Sequence, residues 1–235
     1  MTIGIKFCGL STPETIDLAA ELGAWKVGFI FFEKSPRFVG IDTAAALAAR
    51  ARDAGLETVA VTVNAGEHYL DRIVAEMKPD MLQFHGAETP AAVAAAKARY
   101  RLPVMKAFSI REASDFAAVD PYAGSADLVL YDAKPPAGAV LPGGNGVSFD
   151  WRLLEGRGEK TDYVLSGGLT TENVGDALAV SRARMLDVSS GIESAPGVKD
   201  PVRMRAFAEA VRRFEEQVAA GAAIPDSQAK KEGVS

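Results

Sequence analysis

The chain has 235 residues, of which 48% are hydrophobic and 24% charged, so it fits one large domain with a sizeable core, although length alone also allows two small domains. Its formal net charge of −5 argues against a nucleic-acid surface, which would need clustered lysine and arginine to neutralise phosphates. The single cysteine excludes an intramolecular disulfide framework.

No targeting or membrane-spanning segment is evident in the sequence. The first six residues lack both the basic n-region and the long apolar h-region of a signal peptide. No apolar run reaches the roughly 18 residues of a membrane-spanning helix, because the longest candidates, near 27–32 and 59–63, are the size of strands. We therefore expect a cytoplasmic protein with neither a membrane nor a nucleic-acid partner.

Strand-like and helix-like segments alternate along the chain. Short apolar, β-rich segments recur at 3–7, 26–31, 56–63, 80–84, 102–107, 127–131, 162–165 and 184–188. Alanine-rich stretches with helical periodicity lie at 13–22, 43–54, 69–77, 90–100, 112–119 and 172–180, and a final helix is predicted at 201–219. Residues 220–235 turn polar and lose periodicity, so we expect a single domain over 1–219 followed by a disordered tail.

Eight alternating units favour a (β/α)8 TIM barrel with eight parallel strands. A doubly wound open sheet is the alternative, because eight alternating strands can also form one. The glycine pattern decides against it, since no Gly-x-Gly-x-x-Gly follows the first strand. Instead, glycine-rich turns lie late in the chain at 143–146, 166–168 and 189–191, and the last two end strands, as the phosphate-binding loops of a barrel do.

Seven short motifs occur in one order along the chain. Together they resemble the phosphoribosylanthranilate isomerase family of tryptophan biosynthesis, over about residues 3–214. The motifs are Lys6-Phe7-Cys8-Gly9-Leu10, Gly28-Phe29-Ile30-Phe31 with Lys34-Ser35-Pro36-Arg37, Gln83-Phe84-His85-Gly86, Asp132-Ala133-Lys134, Phe149-Asp150-Trp151, Leu165-Ser166-Gly167-Gly168-Leu169 and Asp187-Val188-Ser189-Ser190-Gly191-Ile192-Glu193.

The resemblance implies an isomerase that converts N-(5-phosphoribosyl)anthranilate into 1-(o-carboxyphenylamino)-1-deoxyribulose 5-phosphate. This Amadori rearrangement needs one acid and one base and uses neither a metal nor an organic cofactor. The partner is then a phosphorylated small molecule, and the protein is expected to be a monomer or a homodimer. The two histidines lie well apart without ligand spacing, which also argues against a zinc site.

By resemblance, the two catalytic groups lie at strand ends. Cys8 is the general base that removes the C2′ proton, and Asp132 is the general acid that protonates the furanose ring oxygen. Taken alone, such a cysteine is more often a small buried hydrophobe and such an aspartate a turn or cap residue. The thiol has to be tuned by its surroundings to act near neutral pH, and the aspartate has to be buried to keep a proton.

The resemblance also implies the substrate contacts. Arg37 would pair bidentately with the anthranilate carboxylate, the alternative being a solvated loop arginine. Asp187 either binds a ribose hydroxyl or makes a structural hydrogen bond that holds the following serines, and His85 is expected to brace its loop. Donors to the phosphate are expected from Gly144, Asn145, Gly146, Gly167, Gly168, Ser189, Ser190 and Gly191.

Three other functions remain open at this point. The related isomerase of histidine biosynthesis uses aspartates as both acid and base, so Cys8 argues against it. The indole-glycerol phosphate synthase uses a lysine and glutamates on its early strands, and Lys6 alone is a poor match. A non-catalytic barrel that binds a sugar phosphate is disfavoured by the presence of both Cys8 and Asp132.

Overall fold

Eight parallel strands close into a barrel in chain order in the computed structural model, which describes residues 2–135, 138–139, 141, 143–157 and 162–221. The barrel closes where the first strand pairs with the eighth, and this pairing sets Lys6 opposite Asp187. The predicted parallel barrel is therefore confirmed. The strands are β1 (Gly4–Cys8), β2 (Lys26–Ile30), β3 (Glu57–Thr62), β4 (Met81–Phe84), β5 (Val104–Ile110), β6 (Leu128–Ala133), β7 (Tyr163–Leu165) and β8 (Met185–Val188).

Six α-helices follow strands on the outside of the barrel. Helix α1 begins where the sequence predicts, because the Thr12 side chain accepts a hydrogen bond from the Thr15 N–H and Pro13 occupies the first turn. None of the helices in the described part of the chain combines the length and apolarity that a membrane crossing requires. The helices are α1 (Pro13–Glu21), α2 (Ile41–Asp53), α3 (Glu67–Met77), α4 (Pro90–Tyr100), α5 (Val174–Ser181) and α6 (Pro201–Ala219).

Two connections differ from the prediction. The α-helix expected at 112–119 is instead a 3-10 helix over Ala113–Ala118, followed by a second one over Asp120–Tyr122. Both pieces are short and connect β5 to β6, and 3-10 helices commonly occur as such connectors. Beyond β8, a short antiparallel hairpin of β9 (Glu193–Ala195) and β10 (Val198–Lys199) was not predicted.

The strands separate two apolar layers. Side chains alternate along β1, so Phe7 packs outward against the helices while Lys6 and Cys8 point into the barrel. A small apolar cluster fills the barrel interior below the site, formed by Cys8, Val59, Val61, Met81, Met105, Ala107, Leu130 and Val164. The rest of the core lies between the sheet and the helices. The predicted tail lies outside the described residues from 222 onward.

Candidate active site

One cavity opens at the carboxyl ends of the strands, where barrel enzymes hold their active sites. It offers about 70 Å³ to water-sized molecules, which is room for only a few waters. Ten of the predicted site residues line it together, namely Cys8, Arg37, Asp132, Gly144, Asn145, Gly167, Gly168, Asp187, Ser189 and Ser190. The other two, Gly146 and Gly191, line an adjoining cavity with Gly168, Ser190 and Arg203.

The Cys8 thiol is buried beside the Lys6 ammonium group. A Cβ on Gly28 would lie 3.0 Å from the Cys8 sulfur and 3.1 Å from Lys6 Nζ, so the glycine provides the space in which the two groups approach each other. Burial and the Asp187 carboxylate raise the pKa of the Cys8 thiol, and the opposing influence of Lys6 and Lys199 does not cancel them. Without substrate, the sulfur is therefore protonated near neutral pH.

A buried ion pair joins the first and last strands of the barrel. Lys6 Nζ donates to Asp187 Oδ1 at 2.6 Å, and both side chains are almost completely buried. Burial lowers the pKa of Lys6, but the attraction of Asp187 and Cys8 outweighs it, so the net shift is upward and the ammonium stays charged. The sequence predicted Asp187 as a site residue, but its lysine partner was missed.

The Asp132 carboxyl group contacts a backbone N–H and a histidine ring. Oδ1 accepts the Ala133 N–H at 2.8 Å, and Oδ2 lies 3.2 Å from His85 Nε2. The amide nitrogen of Gln83 lies 3.3 Å from His85 Nδ1. His85 is thus held between Gln83 and Asp132, and it orients the aspartate, a role that sequence reasoning missed.

The loop after β6 lies across the cavity. A Cβ on Gly143 would collide with Oδ2 of Asp132 and would lie 2.8 Å from His85 Nε2. The next residue, Gly144, accepts a hydrogen bond from Arg37 Nη2 at 3.3 Å through its carbonyl. The loop thus packs directly on the aspartate and on the arginine, which explains the small volume of the cavity.

Arg37 is paired with Glu193, the first residue of β9. Nε donates to Oε1 at 2.7 Å and Nη2 to Oε2 at 2.9 Å, and both side chains are buried. Burial raises the pKa of the Glu193 carboxyl, but Arg37 and Lys199 outweigh it and the net shift is downward. Arg37 is thus not a solvated loop residue. Glu193 was visible in the sequence only as the end of a motif.

Lys199 of β10 connects this pair to the loop after β8. Its Nζ donates to Glu193 Oε1 at 2.6 Å, to the Ser189 carbonyl at 3.0 Å and to Ser189 Oγ at 3.1 Å. Ser189 Oγ in turn donates to the Cys8 carbonyl at 3.0 Å. Burial lowers the pKa of Lys199 to about 8. Sequence reasoning missed Lys199, because a two-residue strand has no periodicity.

The turn that ends β7 packs closely against neighbouring backbone. Gly167 and Gly168 have positive φ values of 89° and 62°. A Cβ on Gly168 would lie 2.6 Å from the carbonyl carbon of Val147 in the loop after β6. Asn173 stabilises the turn, since its Nδ2 donates to the Gly168 carbonyl at 2.9 Å. Only glycine therefore fits at these positions.

Comparison with known proteins identifies the family. A family model described as N-(5'phosphoribosyl)anthranilate (PRA) isomerase matches residues 5–210. The N-(5'-phosphoribosyl)anthranilate isomerase of Rhizobium meliloti (strain 1021) is 57% identical over 215 residues, which cover 92% of this chain and 100% of the relative. The enzyme of the same name from Sinorhizobium fredii (strain NBRC 101917 / NGR234) is 58% identical over 215 residues, covering 92% and 96%.

Solved structures with the same fold bear the same name. Phosphoribosyl anthranilate isomerase from Thermotoga maritima superposes with a TM-score of 0.80 at 29% identity, covering 90% of this chain and 100% of that one. A phosphoribosyl anthranilate isomerase in complex with reduced 1-(o-carboxyphenylamino)-1-deoxyribulose 5-phosphate gives a TM-score of 0.77 at 28% identity, with the same coverage.

Proposed function

The chain belongs to the N-(5'-phosphoribosyl)anthranilate isomerase family, and we propose that it converts N-(5'-phosphoribosyl)anthranilate into 1-(o-carboxyphenylamino)-1-deoxyribulose 5-phosphate in tryptophan biosynthesis. The observation that carries this proposal is the convergence of Cys8, from the end of β1, and Asp132, from the end of β6, on one cavity that Arg37 also lines. We place the enzyme in the cytoplasm, as a monomer or a homodimer. The family of the chain and its barrel topology support the proposed reaction.

Asp132 acts as the general acid in the first step. Its proton goes to the furanose ring oxygen, the bond from that oxygen to C1′ breaks, and the anilino nitrogen supplies the electron pair that forms an iminium ion. The Ala133 N–H stabilises the carboxylate left behind by donating to Oδ1, and the His85 ring contacts Oδ2. The acid is thus fixed in place before the substrate arrives.

Cys8 acts as the general base in the second step. It removes the proton from C2′, and the electrons of that C–H bond neutralise the iminium to give an enolamine, which tautomerises to the ketone. The raised pKa of the thiol opposes this step in the empty site. The cationic iminium offsets it, because a positive charge beside the sulfur favours the thiolate and also acidifies the C2′–H bond. The neighbouring Lys6 ammonium group acts in the same direction.

The anionic ends of the substrate meet a site with excess positive charge. Lys6, Arg37 and Lys199 provide three positive charges against the two negative charges of Asp187 and Glu193. The anthranilate carboxylate binds Arg37. The phosphate binds the turns after β7 and β8 and the loop after β6, which supply backbone and hydroxyl donors, and Asp187 contacts a ribose hydroxyl.

A fluorescence assay tests the proposal. Purified protein with a metal chelator present should remove the fluorescence of N-(5'-phosphoribosyl)anthranilate, with 1-(o-carboxyphenylamino)-1-deoxyribulose 5-phosphate as the product identified by mass and chromatography. Binding of the reduced product analogue without turnover of the substrate would instead indicate a non-catalytic barrel. We also infer that residues 1–219 are the functional domain, so a chain ending at Ala219 should keep the same turnover and melting temperature.

A further inference from the structure

We propose that Glu193 is a positioning residue for substrate binding, which aims the Arg37 guanidinium at the carboxylate of the substrate. This inference rests on the proposed function and adds to it a residue outside the acid and base pair. The supporting observation is that Glu193 binds one edge of the Arg37 guanidinium and leaves the other edge for a ligand.

A guanidinium group offers two edges to a carboxylate. Glu193 takes the edge formed by Nε and Nη2, with hydrogen bonds of 2.7 and 2.9 Å. The other edge is formed by Nη1 and the second N–H of Nη2. Among the described residues, its one hydrogen bond goes from Nη2 to the Gly144 carbonyl at 3.3 Å, and Nη1 makes none. This second edge is therefore available once the loop containing Gly144 moves.

The Gly144 carbonyl oxygen occupies a position that we infer for an oxygen of the substrate carboxylate. It accepts the Nη2 proton that a carboxylate on the second edge would take, and a Cβ on the same residue would lie 2.6 Å from Nη1. The Gly144 backbone thus lies beside the edge that an anthranilate carboxylate would bind. Glu193 and the substrate carboxylate do not compete, because they use different edges of the same group.

Two further contacts hold the Arg37 guanidinium in its orientation. The stem of Arg37 packs against the chain directly after β1, since a Cβ on Gly9 would lie 2.9 Å from Arg37 Cδ. Lys199 donates at 2.6 Å to Glu193 Oε1, the oxygen that also accepts from Arg37 Nε, and so helps to hold the carboxylate in place. Lys199 also adds a charge, so the trio of side chains carries one net positive charge rather than none. An anion is therefore attracted to an arginine that is already paired.

The substitution Glu193→Gln tests this inference with two ligands. One is reduced 1-(o-carboxyphenylamino)-1-deoxyribulose 5-phosphate, and the other is the same compound without the carboxyl group. Calorimetric titration should show a loss of about 10- to 100-fold in affinity for the carboxylated ligand, the range of one charge-assisted hydrogen bond. Affinity for the ligand without the carboxyl group should stay within about twofold, because it makes no contact with Arg37.

A matched control is Glu21→Gln, which breaks a bidentate pair with Arg205 on the exposed outside of the barrel, with distances of 2.5 and 2.9 Å. It should change neither affinity. Glu193→Asp serves as a second variant if the glutamine protein folds poorly, since it keeps the charge but withdraws the carboxylate by one methylene group. It should show the same selective loss.

Other outcomes would overturn the inference. An equal loss for both ligands would mean that Glu193 has only a structural role, and a gain for the carboxylated ligand would mean that it competes with the substrate. Unchanged affinities would remove it from binding altogether. Failure of the proposed function is separate, because it would appear in the unsubstituted protein as absent turnover or as equal affinity for the two ligands.

Discussion

The surroundings of the proposed base, Cys8, and of the proposed acid, Asp132, are built in different ways. Around Cys8, the neighbours are buried charges, with Lys6 paired to Asp187 and Lys199 close enough to affect the thiol. Around Asp132, the partners are an imidazole ring and a backbone N–H, and a glycine loop covers them. Charge acts over a distance, whereas a hydrogen bond requires contact. Substitutions near the base should therefore alter the pH dependence, and those near the acid should alter the rate.

The largest effect is expected from Cys8→Ala, which removes the proposed base. General base catalysis contributes about 10²- to 10⁴-fold, so turnover should fall at least by that factor and become unmeasurable. Affinity for the reduced product analogue should stay within about an order of magnitude, because the sulfur does not contact the anionic groups. Steady-state turnover and calorimetric titration check the two parts. A variant with near-normal kcat would exclude Cys8 as the base.

Asp132→Asn should lower kcat by about two orders of magnitude or more. Asparagine keeps the shape of the side chain but cannot deliver a proton to the ring oxygen, so ring opening becomes rate-limiting. KM should change little, which single-turnover and steady-state measurements together can establish. Wild-type turnover in this variant would mean that another group is the acid, and His85, 3.2 Å away, would be the first to test.

Gly143→Ala should lower kcat/KM by about 10- to 100-fold while leaving the fold intact. The new methyl group would occupy the space of Asp132 Oδ2, so either the loop or the carboxyl has to move, and small misplacements of a catalytic group are costly. Gly66→Ala is the matched control, because a Cβ there meets nothing within 4 Å. Equal kinetics for the two variants would show that the loop does not pack on the acid during catalysis.

The smallest effect, a shift of the pH profile, is expected from Lys6→Met. The base works when deprotonated, so kcat/KM rises with pH through the pKa of the Cys8 thiol. Lys6 and Lys199 lower that pKa while burial and Asp187 raise it, and removing Lys6 leaves Lys199 alone to oppose the upward influences. The acidic limb should therefore move to higher pH. Lys6→Arg keeps the charge and should leave the limb near its original place, whereas a downward shift in the methionine variant would contradict this electrostatic account.

The fold was largely predictable because its signals are local. Each strand was located from a short apolar run, and the start of α1 from the cap at Thr12 and Pro13. The helix expected at 112–119 was wrong in type, because apolar spacing over so short a stretch does not distinguish a 3-10 helix from an α-helix. The β9–β10 hairpin was missed, because strands of three and two residues are too short to carry a pattern.

The site was predictable only in part. Cys8, Asp132 and Arg37 were found through family motifs, and all three line one cavity. The partners of these residues are distant in sequence, as with Arg37 and Glu193, which lie 156 positions apart. No local pattern indicates such pairs. The Lys6–Asp187 pair was also missed, but it could have been inferred. A closed barrel makes β1 and β8 neighbours, and strand alternation points both side chains inward.

That pairing of the first and last strands has a consequence for how the enzyme matures on the ribosome. Cys8 emerges early in translation, but Asp187 follows 181 residues after Lys6. Because synthesis proceeds from the amino terminus and β1 can dock against β8 only after β8 exists, the ring stays open until β8 has been made. Until then the thiol lacks its electrostatic setting, and closure of the ring both completes the sheet and places Cys8 beside the buried ion pair of Lys6 and Asp187.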